Sequence, residues 1–457
     1  SGIRGTIGGM AGEGLSPVDL VKFTASYGKW VQNRQDKERI RIVVGRDARI
    51  SGDMVNRIVT GTLLGLGMDV VDLGLATTPT VEMAVPEEEA DGGIILTASH
   101  NPANWNALKL LNEKGEFLND PEGKEVLRIA DEETIGFAEV HDLGTCIRED
   151  GYNDFHIQRV IDLPEVDKDS IQKRNFKVVI DCVNSVGGLV LPGLLRALGV
   201  SEVVEMNCTP DGHFPHPPEP LPENLRDISE RVRKEGADVG FVVDPDVDRL
   251  AIINEDGSMF GEEYTLVAVA DYLLQKNPGN TVSNLSSTRA LRDITERHGG
   301  QYVASAVGEV NVVNSMKETK AVIGGEGNGG VIYPGLHYGR DALVGIAFFL
   351  SLLAQSAKKC SALKAQYPHY VISKNKIELT PGMDIDNILA EVQNKYKDYP
   401  VNTIDGVKIE FDREWVHLRK SNTEPIIRIY AESKTEAQAN DLADSVIKVI
   451  KNIVNQK

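Results

Sequence analysis

Three stretches of the chain repeat one order of elements, and this repetition limits the possible folds more than any other feature. Each stretch begins with an apolar strand, continues through a polar loop and a helical segment, and reaches a glycine before a second strand. They are RIVVGRDARISGDMVNRIVTGTLLGLG at 41–67, KVVIDCVNSVGGLVLPGLLRALG at 177–199 and TVSNLSSTRALRDITERHGG at 281–300. Continuously apolar strands are typical of parallel sheets covered by helices. The copies lie too far apart for a solenoid, so they predict three similar mixed α/β domains.

The character of the sequence changes after position 368. Four short strand patterns, KIELTP, VKIEFD, WVHLRK and IIRIYAES, precede a helical pattern from about Thr435 to Asn455. This order predicts a C-terminal α+β domain. The expected domains are 1–150, 151–256, 257–368 and 369–457. A proline-rich stretch at 209–224 lies inside the second domain, where a long loop is more often functional than a hinge between domains.

Composition argues against several classes of protein. Lys and Arg number 49 against 68 Asp and Glu, a formal net charge of −19, which argues against a general nucleic-acid binder. The sequence has neither a run of about 18 apolar residues nor a signal-peptide pattern, so no membrane partner is expected. The four cysteines form no CxxC pair, which disfavours zinc and disulfide frameworks and favours a cytoplasmic location. An anionic small substrate is compatible with this charge if Arg and Lys cluster locally.

The segment GFVVDPDVDRLAIINEDG at 240–257 carries the strongest chemical signal. Asp244, Asp246 and Asp248 alternate after an apolar strand, and in an extended backbone residues two apart face the same side. Three carboxylates on one side repel each other unless they share a cation, and oxygen-only ligands suit Mg²⁺. We favour this interpretation over a solvated acidic turn, because open α/β sheets bind ligands at the carboxyl ends of their strands.

Two other motifs match part of the same segment. An EF-hand loop requires glycine at its sixth position, where this chain has Arg249, and RLAIIN is typical of a strand. A strand followed by DxDx(T/V) marks haloacid-dehalogenase-type phosphotransferases, but Asp248 stands where Thr or Val belongs. That enzyme class and a non-catalytic Ca²⁺-binding module stay open as alternatives at this point.

Two further segments carry groups that suit a sugar phosphate. In LRKSNTEPIIRIYAES at 418–433, guanidinium groups that match phosphate bidentately stand near hydroxyl and amide donors. The candidates are Arg419, Ser421, Asn422, Thr423 and Arg428. Taken alone, they are equally typical of a polar hairpin end. In IGGEGNGG at 323–330, glycines let the backbone approach a ligand, and Glu326 and Asn328 are candidates to bridge sugar hydroxyls, although the loop matches neither GxGxxG nor a P-loop.

A buried strand pattern at 94–96 stops at TASHNP, which contains Ser99 and His100. A turn rich in Ser, Asn and Pro is an ordinary way to end a strand. A Ser–His hydrolase is disfavoured, because adjacent side chains of an extended backbone point in opposite directions and no GxSxG elbow surrounds the serine. If a metal site and a phosphate clamp lie elsewhere in the chain, a serine that carries a phosphoryl group fits better.

The chain resembles the α-D-phosphohexomutase family over essentially its whole length. The resemblance is carried by SGIRG at the start, GRDARISG at 45–52, TASHNP at 97–102, DPDVDR at 244–249, GEGNG at 325–329 and RKSNTEP at 419–425. It implies three similar α/β domains and a fourth around a deep cleft. It also implies a mutase that interconverts hexose 6-phosphate and hexose 1-phosphate through a phosphoserine and a hexose 1,6-bisphosphate, which serves as intermediate and activator. The expected molecule is a monomer or homodimer.

The resemblance also implies roles for individual residues. The implied catalytic set is Ser99, Lys109, Arg4, His100 and Arg249. The implied ligands of one Mg²⁺ per chain are the phosphorylated Ser99, Asp244, Asp246 and Asp248. Within the catalytic set, Lys109 is the candidate for handling the proton of the sugar hydroxyl. By the same resemblance, Glu326 and Asn328 are expected to form hydrogen bonds with sugar hydroxyls. The implied clamp for the phosphate that is not reacting consists of Arg419, Ser421, Asn422 and Thr423, with Arg428 beside them.

Departures from the family pattern point to a substrate. The common bacterial sugar loop reads GE(M/Q)SGH, whereas this chain has Asn328 in place of Ser and Gly330 in place of His. The loop AVGEVNVV carries Glu309 where bacterial phosphoglucosamine mutases usually have Asp and phosphomannomutases His. These forms look most like archaeal-type phosphoglucosamine mutases. We therefore expect glucosamine phosphate, for the synthesis of amino-sugar nucleotide precursors, with phosphomannomutase/phosphoglucomutase activity as the alternative.

Overall fold

A computed structural model of the chain describes residues 2–132, 135–378, 384–420 and 426–455. The chain divides into two compact units. Unit 1 comprises Ser1–Leu273 and Asn328–Lys364, and unit 2 comprises Leu274–Gly327 and Ala365–Lys457. In the described part of the chain, no helix combines the length and the apolarity needed to cross a membrane.

Unit 1 begins with a mixed sheet. Its elements are β1 (Ile3–Thr6), α1 (Pro17–Arg34), β2 (Arg41–Arg46), α2 (Gly52–Gly65), β3 (Asp69–Leu75), α3 (Thr78–Glu87), β4 (Gly92–Leu96), β5 (Trp105–Leu111), α4 (Asp120–Glu132) and β6 (Cys146–Arg148). The strand order is β1-β5-β4-β2-β3-β6. Strands β2, β3, β4 and β6 pair in parallel, whereas β5 runs antiparallel to both β4 and β1. The loop that joins β4 to β5 therefore lies at the carboxyl end of a buried strand.

The second sheet of unit 1 repeats this plan. Its elements are α5 (Tyr152–Ile161), α6 (Lys168–Arg174), β7 (Lys177–Asp181), α7 (Gly187–Leu198), β8 (Glu202–Met206), α8 (Arg226–Glu235), β9 (Val239–Val243), β10 (Leu250–Asn254) and α9 (Glu262–Lys276). The strand order is β10-β9-β7-β8. Strand β7 is parallel to β8 and β9, and β10 is antiparallel to β9. Every residue of β9 and β10 is buried, and the loop between them again follows a buried parallel strand.

Unit 2 contains a third parallel arrangement. Its elements are β11 (Thr281–Asn284), α10 (Ala290–Arg297), β12 (Tyr302–Ser305), α11 (Glu309–Thr319) and β13 (Ile323–Glu326). Strand β11 pairs in parallel with both β12 and β13. The chain then returns to unit 1 with β14 (Gly330–Ile332), α12 (Ala342–Ser356) and α13 (Cys360–Lys364). Helix α12 is apolar and buried from Ala342 to Ala354.

The rest of unit 2 is an antiparallel sheet with helices. Its elements are β15 (Val371–Glu378), α14 (Ile385–Lys395), β16 (Val401–Asn402), β17 (Val407–Glu410), β18 (Trp415–Lys420), β19 (Ile426–Ser433) and α15 (Glu436–Asn455). The strand order is β15-β19-β18-β17-β16, and all pairs are antiparallel. Apolar side chains of the sheet and of α14 and α15 form its core.

The predicted fold class is confirmed. The three repeated sequence stretches fold as β2-α2-β3, β7-α7-β8 and β11-α10-β12, each with a parallel strand pair. The C-terminal part combines short strands with helices, as the α+β prediction required, and the structure shows that its strand pairs are antiparallel. The four domain boundaries stay a prediction, since the two units divide the chain differently.

Candidate active site

The three aspartates after β9 converge in unit 1. Asp244, Asp246 and Asp248 are all fully buried, and one carboxylate oxygen of each lies within 4.8 Å of those of the others. The reason that we gave for this convergence is wrong. The backbone is a turn, not an extended strand, and Val247 has a left-handed φ of 64°. A β-branched residue rarely adopts this conformation, so the surrounding structure must impose it.

Asp244 connects this turn to Ser99. Its Oδ1 accepts backbone N–H groups of Asp248 and Arg249, each at 3.2 Å, which closes the turn on itself. Its Oδ2 accepts the Ser99 hydroxyl at 2.7 Å. The structure therefore brings the predicted serine and the predicted acidic cluster into direct contact, although they lie 145 positions apart in the chain.

Asp246 and Asp248 each form their side-chain hydrogen bonds to described residues through one carboxylate oxygen. Asp246 Oδ2 accepts Thr78 Oγ1 and Lys109 Nζ, both at 2.6 Å. Asp248 Oδ2 accepts Arg340 Nη2 at 2.6 Å and Lys109 Nζ at 3.4 Å. The buried Oδ1 atoms of both aspartates have no hydrogen-bond partner among the described residues. Such buried, unbonded oxygens are unusual, and together with Asp244 they form the hard-oxygen set that a divalent cation binds. The residues present therefore fit a metal ion.

The three carboxylates and the Lys109 ammonium shift one another's pKa values. Burial and the carboxylates of Asp248 and Asp246 raise the pKa of Asp244 well above its usual value. Burial acts in the same direction on Asp246, but the Lys109 ammonium outweighs it and holds the pKa of Asp246 below its usual value. Burial alone lowers the pKa of Lys109, yet Asp246 and Asp248 reverse this effect and raise it. Lys109 is thus held as an ammonium ion.

Ser99 and His100 occupy a turn after β4. Ser99 is 4% exposed and has a left-handed φ of 49°. From the sequence we assumed an extended backbone at this position, and that assumption was wrong. Burial, followed by the nearby charges of Arg249 and Arg4, lowers the pKa of His100 to about 2. His100 is therefore neutral at physiological pH, and its Nδ1 has no hydrogen-bond partner among the described residues.

Two predicted arginines border the same cluster. Arg4 on β1 donates from Nη1 to the side-chain oxygen of Asn101 at 3.1 Å. Arg249 follows the acidic turn, and its Nη1 donates to Glu219 Oε1 at 3.5 Å, while its Nε lies 3.9 Å from Asp248 Oδ1. Glu219 belongs to the proline-rich loop at 209–224. That loop thus contacts a predicted catalytic residue.

The predicted sugar loop divides between the two units. Asn328, in unit 1, accepts the backbone N–H of Gly330 at 3.2 Å through Oδ1. Glu326, in unit 2, accepts Asn284 Nδ2 at 2.8 Å and the backbone N–H of Gly308 at 3.3 Å through Oε1. Glu309 is the next residue and begins α11, where it is 7% exposed. The loop of Glu309 and the loop of Glu326 are therefore in contact.

Two predicted phosphate ligands are neighbours in the antiparallel sheet of unit 2. Arg419 on β18 lies directly opposite Arg428 on β19, and Lys376 on β15 lies opposite Arg428 on its other side. Arg419 Nη1 also donates to Asp405 Oδ2 at 3.4 Å. Like charges directly opposite each other on one face of a sheet are destabilising. Ser421, Asn422 and Thr423 lie outside the described residues.

Sequence reasoning missed several residues at the centre of the site. Thr78, Arg340 and Arg49 contact the acidic turn or the Ser99 turn but were given no role. One signal was present: the string GRDA occurs at both 45–48 and 339–342. In each copy the aspartate, Asp47 or Asp341, is completely buried, which a polar loop residue rarely is unless it is paired.

Four family models match consecutive parts of the chain. The α/β/α domains I, II and III of phosphoglucomutase/phosphomannomutase match residues 1–135, 154–257 and 261–370. The C-terminal domain of the same family matches residues 376–449. The order and extent of these matches agree with the resemblance that the motifs indicated.

Individual relatives match along the whole chain. A phosphoglucomutase/phosphomannomutase of Thermococcus kodakarensis is 38% identical over 452 residues, which cover 98% of each chain. A phosphoglucosamine/phosphogalactosamine mutase of Sulfurisphaera tokodaii is 33% identical over 456 residues, again 98% of each chain. The crystal structure of a phosphoglucomutase/phosphomannomutase family protein from Burkholderia thailandensis, 27% identical, has a TM-score of 0.85 and covers 99% of this chain and 96% of that one.

These matches exclude the haloacid-dehalogenase-type phosphotransferase and the non-catalytic Ca²⁺ module as interpretations of the acidic turn, since each would leave the rest of the chain unexplained. The site in unit 1 has buried carboxylates that could hold a metal ion, and cationic groups of the kind that phosphoryl transfer uses. The chain belongs to the phosphoglucomutase/phosphomannomutase family and is a phosphohexomutase, an isomerase that moves a phosphoryl group between positions of a hexose phosphate.

Proposed function

We propose that Ser99 is the phosphoryl carrier of this mutase and that Asp244, Asp246 and Asp248 bind one Mg²⁺ beside it. The observation that carries the proposal is the 2.7 Å hydrogen bond from Ser99 Oγ to Asp244 Oδ2 at a fully buried acidic cluster. The unbonded Oδ1 atoms of Asp246 and Asp248 support the metal assignment. When bound, Mg²⁺ offsets the carboxylate charge and stabilises the charge that develops on the phosphoryl oxygens.

The chain's own residues then serve each transfer. The phosphorus–oxygen bond to Ser99 breaks as a bond to one sugar hydroxyl forms, and after reorientation of the bisphosphate the reverse occurs at the other position. Arg4 and Arg249 border the serine turn and provide positive charge for the phosphoryl group. Lys109, as an ammonium, can donate a proton to the departing Ser99 oxygen. The amine that this leaves on Lys109 can then accept the proton of the attacking sugar hydroxyl, so that one proton passes from the sugar to Ser99 and Lys109 ends the step as an ammonium. Asp246 and Asp248 raise the pKa of Lys109 and so favour its return to the ammonium form.

We propose that substrate recognition rests on residues outside the acidic cluster. Glu326 and Asn328 would bond sugar hydroxyls, and Arg419 and Arg428 would clamp the phosphate that is not reacting. The adjacency of the two guanidinium groups across β18 and β19 supports the clamp, because each presents a planar fork that suits phosphate. Ser421, Asn422 and Thr423 would complete it.

The substrate that we propose is glucosamine phosphate. Glucosamine 6-phosphate shares its 6-phosphate and its 3- and 4-hydroxyls with glucose and mannose 6-phosphates. Residues that distinguish these three substrates must therefore lie near C2 of the sugar. Glu309 is a buried carboxylate whose neighbour Gly308 bonds Glu326, and a carboxylate favours a cationic 2-amino group. One relative is named for glucosamine and galactosamine phosphates and another for glucose and mannose phosphates. Phosphomannomutase/phosphoglucomutase activity therefore stays the alternative to glucosamine phosphate as substrate.

A comparison of kcat/KM on glucosamine, glucose and mannose 6-phosphates tests the substrate. We expect glucosamine 6-phosphate to be preferred by about tenfold or more, the value of one charged hydrogen bond. A preference for mannose or glucose phosphate would overturn the substrate assignment and leave the serine assignment standing.

Replacement of Ser99 by alanine tests the carrier. The Ser99→Ala variant is expected to lose turnover but still to bind sugar phosphate, because the clamp in unit 2 is unchanged. An acid-stable phosphopeptide that covers residues 97–109 should be found in the wild type and be absent from the variant. Full turnover by Ser99→Ala would refute the proposal.

A further inference from the structure

Arg49, in the loop after β2, uses four of its five guanidinium N–H donors on the segment that begins at Ser99 and the fifth on Asp47. It is 1% exposed, and its Nε donates to Asp47 Oδ2 at 3.0 Å. The other four N–H groups of the guanidinium donate to backbone carbonyls of the turn. Those carbonyls belong to Ser99 at 2.5 Å, Asn101 at 2.8 Å, Pro102 at 2.7 Å and Trp105 at 3.0 Å. A guanidinium has five donors, and all five are used here.

Asp47, which pairs with Arg49, also holds the backbone N–H of Ser99 through Thr97. Its Oδ2 accepts the Thr97 hydroxyl at 2.6 Å, and Thr97 Oγ1 in turn accepts the Ser99 N–H at 3.0 Å. Ser99 is a non-glycine residue with a φ of 49°, a conformation that costs free energy and persists only where its surroundings hold it. Arg49 on the carbonyl side and Thr97 on the amide side are those surroundings.

We propose that Arg49 is a positioning residue for phosphoryl transfer, which holds Ser99 in its strained conformation with Oγ directed at Asp244. The inference rests on the proposed role of Ser99 as the carrier. Among the described residues, the side chain of Arg49 bonds Asp47 and four backbone carbonyls and forms no bond to the acidic cluster, so its effect passes through the backbone of the turn. A displacement of a reacting oxygen by about 1 Å is enough to cost about 100-fold in rate.

The proline-rich loop at 209–224 covers this arrangement. The Phe214 ring lies over the Arg49 guanidinium, 5.2 Å from centroid to carbon. Gly212 lies so close to the Arg49 loop that a Cβ there would stand 2.1 Å from the Ala48 carbonyl oxygen. The loop therefore excludes water from the hydrogen bonds of Arg49, which strengthens them.

Lysine cannot replace arginine in this position. It keeps the charge, but it has three donors on one atom and no planar fork, so it can satisfy few of the four carbonyls and Asp47 at once. Arg49→Lys therefore separates the geometry of the guanidinium from its charge. Arg292→Lys is the matched control, since Arg292 forms a bidentate pair with Glu410 in unit 2, with both N–O distances 2.7 Å, and takes no part in the Ser99 turn.

The test is a kinetic comparison of the holoenzyme variants with Mg²⁺ present. Arg49→Lys is expected to lower kcat by about 100-fold and to leave KM for the sugar phosphate within about twofold, whereas Arg292→Lys keeps both. Added guanidinium chloride, well below denaturing concentration, should partly restore kcat of Arg49→Ala but not of Arg49→Met, whose side chain fills the space. If the Arg49 variants fail to fold, Thr97→Val provides the same readout, since it removes the link to the Ser99 N–H.

The outcomes distinguish this inference from the carrier role itself. Active wild type without phosphate on Ser99 overturns the carrier role, and the inference falls with it. Phosphorylated wild type with unchanged kcat in Arg49→Lys, or in Thr97→Val where that variant is used, overturns the inference alone. The inference is also overturned if kcat falls only in proportion to the loss of folded protein and guanidinium does not restore it. A residue with a purely structural role would give that result.

Discussion

A buried cluster of histidines and carboxylates in unit 1 predicts that the mutase loses stability as the pH rises above neutrality. His337 Nε2 lies 3.3 Å from Asp341 Oδ2, and its Nδ1 lies 3.3 Å from Glu82 Oε2. His156 Nε2 lies 2.8 Å from the same oxygen of Asp341. Glu82 is on α3, His156 on α5, and Asp341 caps α12 by accepting two backbone N–H groups.

This cluster is joined to the acidic turn through the residues next to Asp341. Arg340 donates to Asp248, and the backbone N–H of Ala342 donates to the carbonyl of Val247 at 3.2 Å. A change in the charge of His337 therefore acts on the segment that holds the proposed metal ligands. Stability and activity should respond to it together.

The size of the effect follows from the pKa of His337. Burial lowers this pKa, but the nearby carboxylates of Asp341 and Glu82 outweigh burial and raise it from 6.5 to about 10. A raised folded-state pKa stabilises the fold fully below the unfolded value of 6.5, and the contribution is lost as the pH rises towards 10. Linkage gives about 4 kcal/mol at pH 7 and about 1 kcal/mol at pH 9, a loss of about 3 kcal/mol.

The variant His337→Gln removes the titration and keeps a polar side chain. The free energy of urea unfolding of the wild type should exceed that of His337→Gln at pH 7, and this excess should fall by about 3 kcal/mol between pH 7 and pH 9. The control is His141→Gln, which removes an exposed histidine. In protein labelled with ¹³C at histidine Cε1, the resonance missing from His337→Gln should show no titration below about pH 9. Titration of that resonance between about pH 6 and 7.5, the usual range for histidine, or a constant difference in unfolding free energy would refute the reasoning.

Two substitutions in unit 2 test substrate recognition. Glu309→Gln should lower kcat/KM for glucosamine 6-phosphate by about ten- to a hundredfold more than for mannose 6-phosphate, because it removes one charged hydrogen bond; equal losses on both sugars would contradict the proposed role of Glu309. Arg428→Met should raise KM for the sugar phosphate by a similar factor and change kcat less, because it removes half of the arginine pair across β18 and β19. An unchanged KM would show that the phosphate binds elsewhere.

The fold could be predicted because its signals are local. The apolar strand, helix and glycine of 41–67 reappear as β2, α2 and the turn that precedes β3, since each element depends on the residues within it. The acidic turn was predicted from residue type, but for the wrong geometry. Nothing local places the β-branched Val247 in a left-handed conformation; contacts from the rest of unit 1 impose it.

The partners of the site could not be predicted from the sequence, because the fold brings them from far along the chain. Thr78 bonds Asp246 across 168 positions, and Arg340 bonds Asp248 across 92. Thr78 is the first residue of α3 and carries no signal of such a contact, and the GRDA string around Arg340 does not indicate its partner. The five bonds of Arg49 are equally invisible, since four of them go to backbone carbonyls, which every residue possesses.

The central claim, that Ser99 carries the phosphoryl group, is tested most directly by following that group through one turnover. Enzyme labelled with ³²P by hexose 1,6-bisphosphate is freed of ligand and mixed with unlabelled hexose 6-phosphate and Mg²⁺. We expect the label to leave the peptide that contains Ser99 and to appear in the bisphosphate at least as fast as kcat, and Ser99→Ala to take up no label. Label that stays on the peptide while turnover proceeds would contradict the account.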